Sequence, residues 1–171
     1  AQLDRQSELI IMQDISDSND ENKEPRVLKN VFSISPNVLE DNGNYHITYG
    51  FGYSKFEHIY NDIEEELIIF VPKDDSLKIN KISLKNTSLK KKKIKILYDV
   101  DFILGEVKNR FINYSFKENY NLLLVKNNIN PSYYAYITSN EKIEYKNNVV
   151  EINVEIDSLE TKEVTLILGA E

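Results

Sequence analysis

The chain has 171 residues, which fits one domain, and 41% of them are hydrophobic, with 11 Tyr and 7 Phe to fill a core. Its 28 Asp and Glu outweigh 21 Lys and Arg, giving a net charge of −7 that disfavours non-specific binding to nucleic acid or an anionic membrane. There is no cysteine, which excludes disulfides and thiolate metal sites.

The N-terminus, Ala1 to Ser7, is polar and lacks an apolar signal segment. No later apolar run approaches the ~20 residues needed to span a bilayer. With the lack of cysteine, these features set the expectation of a cytoplasmic protein. Asn, Lys and Ile are abundant throughout, as in the codon bias of an AT-rich bacterial genome. A first strand is expected at Glu8–Met12, followed by the polar, acidic stretch Ser16–Glu24 (SDSNDENKE), which reads as a solvated and partly disordered loop. Residues 1–30 are therefore expected to form an N-terminal strand and loop, and residues 31–171 the main domain.

A strand at Asn44–Tyr49 leads into the aromatic segment Tyr45–Phe56 (YHITYGFGYSKF). Its rings surround two glycines. Tyr49, Phe51 and Tyr53 could offer apolar faces to a sugar ring, with Tyr hydroxyls available for hydrogen bonds. They share one face only if the strand runs unbroken through Gly50 and Gly52; otherwise they are core rings and the glycines allow a bend. Gly50-Phe51-Gly52 is not a phosphate loop, because no Lys-Ser/Thr and no helix follow it.

Ile63–Val71 is apolar on both phases at its end, and Pro72-Lys73-Asp74-Asp75 turns the chain. Leu77–Asn86 slips phase: Leu77 and Ile79 fall on one face and Ile82 and Leu84 on the other, as a β-bulge would produce. Lys90-Lys91-Lys92-Lys93 reads as a solvated edge that discourages strand pairing, not as a nucleic-acid patch. Ile94, Ile96, Tyr98 and Val100 then alternate with Lys95 and Asp99, and Val150, Ile152, Val154 and Ile156 with Glu151, Asn153 and Glu155. Each is a strand with one buried and one wet face. Further strands are expected at Arg110–Phe116, Leu122–Lys126 and Tyr133–Ser139, and around Val164, Leu166 and Leu168, with turns at Asn127–Pro131 and Asn147-Asn148. No segment carries helical periodicity over three turns. The expected fold is all-β, two packed antiparallel sheets.

Little in the sequence promises catalysis. His46 and His58 are the only histidines, each in or beside a strand and neither near a second ligand in sequence. Glu64-Glu65-Glu66, Asp74-Asp75 and Asp99/Asp101 show no spacing that marks a glycosidase pair. No catalytic residue, metal site or cofactor is expected. Asn86-Thr87-Ser88 and Asn113-Tyr114-Ser115 match glycosylation sequons, which mean little without a secretory signal.

The segment Gly50–Pro72, GFGYSKFEHIYNDIEEELIIFVP, closely resembles the β-supersandwich domain of glycoside hydrolase family 94, formerly glycosyltransferase family 36. The family pattern is Gly-x-Gly-Tyr-Ser/Thr-x-Phe, here Gly50, Gly52, Tyr53, Ser54 and Phe56, then a strand ending Phe-Val-Pro, here Phe70-Val71-Pro72. Asp74-Asp75 with Lys78-Ile79, Leu84-Lys85-Asn86, Tyr98 through Leu104-Gly105, and Leu166-Ile167-Leu168-Gly169 extend the likeness over most of the chain. Phe56-Glu57-His58 with Asn61 is similar to the cyclic β-1,2-glucan synthase and 1,2-β-oligoglucan phosphorylase branch. Departures are His46, Thr48 and Tyr49 where members often carry Arg-x-Arg-His, Phe32 for a Trp, and Asp101-Phe102 for Glu-Trp.

The resemblance implies a galactose-mutarotase-like supersandwich. It implies as partner an (α/α)6 barrel, in the same or a neighbouring chain, that holds the single catalytic acid and uses inorganic phosphate. No residue here matches that acid. The sandwich would support the barrel and dimerisation, so a homodimer is among the expected partners, as is a β-glucan; nucleic acid and membrane are not. The alternatives are an autonomous carbohydrate-binding module using Tyr49, Phe51 and Tyr53, and a small enzyme of the mutarotase kind. The last needs a histidine and a carboxylate converging in a cleft, for which the sequence offers no recognisable pair.

Overall fold

The computed structural model describes residues 8–17, 30–34, 44–102, 104 and 112–170. The expectations at 18–24, Gly105, and residues 110 and 111 of the strand expected at Arg110–Phe116 lie outside the described residues. In chain order the strands are β1 (Glu8–Asp14), β2 (Val31–Phe32), β3 (Asn44–Gly50), β4 (Tyr53–Tyr60), β5 (Ile63–Phe70), β6 (Leu77–Asn86), β7 (Lys92–Val100), β8 (Ile112–Lys117), β9 (Leu122–Asn127), β10 (Tyr134–Ser139), β11 (Glu144–Lys146), β12 (Val149–Ile156) and β13 (Thr161–Ala170). The one helical element among the described residues is a 3₁₀ turn at Glu118–Tyr120.

The strands form two sheets. One has five strands in the order β11-β12-β7-β1-β2, the other eight in the order β3-β4-β5-β6-β13-β10-β9-β8. Every pairing is antiparallel. The all-β, two-sheet expectation is met. β1 lies inside the five-stranded sheet, paired with β7 from Glu8↔Val100 to Asp14↔Ile94.

Period two explains the sandwich. Ile94, Ile96 and Tyr98 of β7, and Val150, Ile152, Val154 and Ile156 of β12, turn to the interior and are buried. They meet Ile63, Leu67, Ile82, Leu84, Val164 and Leu166 from the large sheet. Phe32 and Phe102, the two aromatic replacements noted above, are both buried in this core.

Three expectations are corrected. β6 carries no bulge: its register runs unbroken against β5 and against β13. The apparent slip arises because Asn80, fully buried, takes the inner face with Ile82 and Leu84, while Leu77 and Ile79 face outward. Second, the lysine run is not a uniformly solvated edge. Lys91 and Lys93 are exposed near Glu155, but Lys92 starts the inner phase of β7 and is buried. Third, Glu151 is on the outward phase of β12 yet only 8% exposed, held by Lys95 at 3.3 Å and by an amide hydrogen bond from Asn153. β4, β2 and β11 are strands that the alternation did not announce.

Inner polar groups tie the sheets together at two places. Lys92 Nζ donates to Asp14 Oδ2 at 2.9 Å and to the Asn61 carbonyl at 2.9 Å, and Asn61 Nδ2 donates to the same carboxylate at 3.1 Å. The turn between β4 and β5 is thereby fastened to β1 and β7. Near the other end of β1, the Tyr98 hydroxyl donates to Glu8, which also accepts from Lys78 Nζ at 2.6 Å. Burial, then the Glu8 charge, push the Tyr98 phenol far above its ordinary value; nearby Asn80 acts weakly the other way.

Candidate functional site

β3 and β4 form a hairpin with a two-residue loop, since Gly50 pairs with Tyr53 across Phe51-Gly52. Gly52 has φ +81°, a left-handed conformation that glycine adopts without strain, and a Cβ there would meet nothing within 4 Å. Gly50 serves differently. It stays in the strand, and a Cβ on it would meet the Tyr53 ring at 2.0 Å. The Tyr53 ring lies across Gly50.

The hairpin settles where the three candidate sugar-contacting residues stand. Phe51 is at the tip, 106% exposed; Tyr49 is 77% and Tyr53 42% exposed. All three are accessible. They do not share a face, because the chain reverses between them: Tyr49 is opposite Ser54, one register step from Tyr53, so the two rings leave opposite faces of the sheet. Val71, 62% exposed, follows Phe70, which pairs with Tyr53, and adds apolar surface at the same end.

Tyr53 also begins a larger feature that the sequence reading missed. On the outward face of the large sheet, Tyr53, Phe70, Ile79 and Ile167 fall in one row across β4, β5, β6 and β13. A second row, Leu77, Gly169, Tyr136 and Leu124, continues across β6, β13, β10 and β9. Apart from the exposed Tyr53 and the buried Gly169, these residues are half-buried. The Tyr136 ring lies over Gly169, where a Cβ would meet it at 2.2 Å. The band spans six strands, about 24 Å at ~4.8 Å per strand. A helix of about 16 residues has that length at 1.5 Å per residue. The signal was present: Leu77 and Ile79 fall on the opposite face from Ile82 and Leu84, and that is an outward apolar pair, not a bulge.

Toward the Asn61 end the same face is charged. Lys55 lies between Glu57 and Glu66, 3.5 and 3.4 Å away, and first Glu66, then Glu57, hold its ammonium above the ordinary lysine value. A shallow cleft of about 280 Å³ here is lined by Glu57, Glu64, Glu66 and Lys85 among others. Among the described residues no group of three or more His, Asp or Glu could hold a metal.

The sequence also hid an acid–base pair. His58 Nδ1 lies 2.7 Å from Glu65 Oε2, and both side chains are 0% exposed. The pair forms because Asn61-Asp62 is a two-residue turn with both φ positive, 48° and 61°, which sets residue 58 opposite residue 65. Tyr45 stacks on the His58 ring at 4.1 Å and 12°. Such a pair could exchange a proton, but although both residues border the cleft neither side chain reaches solvent, so it is a core contact. His46 is exposed on β3. Asn86, of the first sequon, is fully buried and donates to the carbonyls of Lys90 and Ile156, whereas Asn113 is exposed on β8.

A family model, that of the glycosyl hydrolase 94 supersandwich domain, matches residues 26–148 of this chain. Among curated proteins there is no match. Among solved structures 32 chains match. One, described as a kojibiose phosphorylase from the human microbiome, is 16% identical with a TM-score of 0.45. The alignment covers 70% of this chain and 17% of that one, so the chain spans 17% of that protein's length.

Proposed function

The chain belongs to the glycosyl hydrolase 94 supersandwich-domain family, and from that premise we propose that it is a non-catalytic interaction domain that packs its large sheet against a helical-barrel catalytic domain. The barrel belongs to the same chain or to a neighbouring one, and the sandwich supports its assembly. The observation that carries this reading is the two-row apolar band on the outward face of the large sheet. A sheet face left in water is ordinarily polar, and contiguous apolar surface on that scale marks an interaction site. Helices are the usual cover for such a face, and the length of the band suits one.

The parent enzyme acts on a β-linked glucan with inorganic phosphate, and Phe56-Glu57-His58 with Asn61 favour the β-1,2-glucan branch. His58 and Asn61 are scaffold groups here, so they speak for kinship and not for glycan contact. No described helix is long and apolar enough to cross a membrane, and we assign the domain to the cytoplasm.

The test mixes the full chain with a helical barrel of this family purified without its own sandwich. A stable complex is expected, and Phe70→Glu with Ile79→Glu abolishes it while the β circular-dichroism spectrum is retained. A barrel that ignores the parent chain, or binds both forms equally, overturns the reading. The second reading, an autonomous carbohydrate-binding module, draws on the exposure of Tyr49, Phe51 and Tyr53. Chemical-shift mapping with millimolar β-1,2-gluco-oligosaccharides separates the two: shifts confined to the hairpin favour the module.

A further inference from the structure

Asn80 sits on the inner phase of β6, opposite Ile69 of β5 and Leu166 of β13, and is fully buried. Among the described residues neither its amide nitrogen nor its amide oxygen has a hydrogen-bond partner. Ile69 and Leu166 cannot supply one, since their side chains hold no polar atom. A buried amide without partners forfeits its hydration and recovers nothing, and folded proteins seldom leave such a group standing. The next inner residues of the same strand, Ile82 and Leu84, show that an aliphatic side chain suits this layer.

The opposite sheet brings a polar cluster to the same region. The Tyr98 hydroxyl donates to Glu8, and Glu8 accepts from Lys78 Nζ at 2.6 Å. Lys78 precedes Asn80 by two residues and shares its inner phase. The Lys78 and Glu8 side chains are 31% and 20% exposed, whereas Tyr98 and Asn80 are buried. The cluster therefore runs inward from solvent, with an ion pair at its mouth and Asn80 at its inner end. Burial and the Glu8 charge raise the Tyr98 phenol, and Asn80 lies close enough to draw it part of the way back. Yet the amide does not bond the hydroxyl directly.

The chemistry of the gap is specific. Tyr98 gives its only proton to Glu8 and keeps lone pairs that can accept. The carboxylate polarises that hydroxyl and makes its oxygen a better acceptor. The Asn80 amide needs both a donor and an acceptor. We propose that Asn80 and Tyr98 bind an internal water molecule between the sheets, closed from bulk solvent by the Glu8–Lys78 pair. The water donates to Tyr98 Oη and to Asn80 Oδ1 and accepts from Asn80 Nδ2. A buried water typically makes about three such bonds, while a purely apolar void stays dry. The two ends of the sandwich are then tied differently. Lys92 reaches Asp14 and Asn61 with its own ammonium; at the Glu8 end, β6 is joined to β7 through water.

Water–protein NOE spectroscopy on the intact chain tests this. The Asn80 side-chain N–H protons should show cross-peaks at the water frequency, of opposite sign in NOE and ROE spectra. Equal signs mark proton exchange instead of a bound water. In Asn80→Leu the water-oxygen relaxation dispersion should lose the amplitude of a single long-lived water relative to the parent; the parent spectrum decides by itself should that variant misfold. Tyr98→Phe removes the accepting hydroxyl and should weaken the water cross-peak at Asn80. Lys78→Met unlocks the mouth without touching either water-binding group, and should shorten the water's residence. An Asn80 amide that meets the Tyr98 ring but no water, cross-peaks signed for exchange alone, or equal dispersion in parent and Asn80→Leu overturns the proposal.

Discussion

β4 ends in a two-residue hairpin turn at each end, and the two turns have opposite fates. Asn61-Asp62, though exposed, is fastened to the sandwich: Lys92 and Asp14 bind Asn61, and the Asp62 carbonyl accepts from the backbone N–H and the hydroxyl of Thr87, at 2.9 and 3.0 Å. Phe51-Gly52 stands in solvent, with Phe51 wholly exposed. The two loops are equal in length and differ in turn type, with both φ positive at Asn61-Asp62 and only that of Gly52 at the other, but neither turn type supplies an anchor of itself, so local geometry does not decide the outcome. What decides it is whether the opposite sheet reaches the turn. At the Asn61 end β1 and β7 bring a carboxylate and an ammonium to it. At the Phe51 end among the described residues no such anchor is seen, and the chain presents rings. One turn therefore serves stability and the other is available for contact.

The sharpest break of this contrast is Lys92→Ala. It leaves the Asp14 carboxylate buried without its cation, and removing one partner of a buried pair costs about 3–5 kcal/mol. Urea unfolding should show that loss. Lys92→Met with Asp14→Leu should cost much less than the two single changes added together, because neither charge is then stranded. Additive costs would show that the pair does not join the sheets in solution.

A smaller effect follows from pH. Burial pushes the Asp14 carboxyl up, but hydrogen bonds from Ser16 and Lys92 and the lysine charge outweigh it and hold the group below its ordinary 3.8. A carboxyl depressed in the folded state stabilises the fold fully above its unfolded value. That stability is lost as pH falls through the folded value. Asp14→Asn should thus be less stable than the parent at pH 7, and the gap should narrow below about pH 4. A gap constant from pH 7 to pH 2 would mean that Asp14 is not charged against Lys92.

The sequence disclosed the fold where the inner phase of a strand is apolar, as in Ile94–Tyr98 and Val150–Ile156. It failed where that phase carries polar groups. β4 turns Phe56, His58 and Tyr60 inward together with Ser54, so no apolar alternation showed, and Asn80 on the inner phase of β6 looked like a slip. Lys92 was derivable, since period two from Ile94 places it inside, but four lysines in a row hide which one turns in. His58 and Glu65 are seven apart, and only a two-residue turn at Asn61-Asp62 makes them neighbours. The candidate ring residues were located, yet their arrangement was not: either glycine could have made the turn, and it is the lie of Tyr53 across Gly50 that assigns it to Gly52. The outward apolar band needed strand order as well, because its rows join residues from strands distant in sequence.

The smallest effect expected is at the other turn, and it is the most discriminating. Phe51 is 106% exposed and buries nothing in the single chain. Phe51→Ser removes a ring from water and breaks no described contact, so the urea midpoint should shift by less than about 0.5 kcal/mol equivalent, as surface changes do. The turn itself is unaffected, because the left-handed residue is Gly52 and not Phe51. If the tip is a contact element, the same variant should weaken whatever the hairpin touches, a barrel or a glycan, while leaving the fold alone. A stability loss above ~1 kcal/mol would show that the ring is covered in solution. Repeating the measurement at a tenfold lower protein concentration then locates the cover: a loss that fades on dilution belongs to a second copy, and one that persists belongs to the chain's own surface.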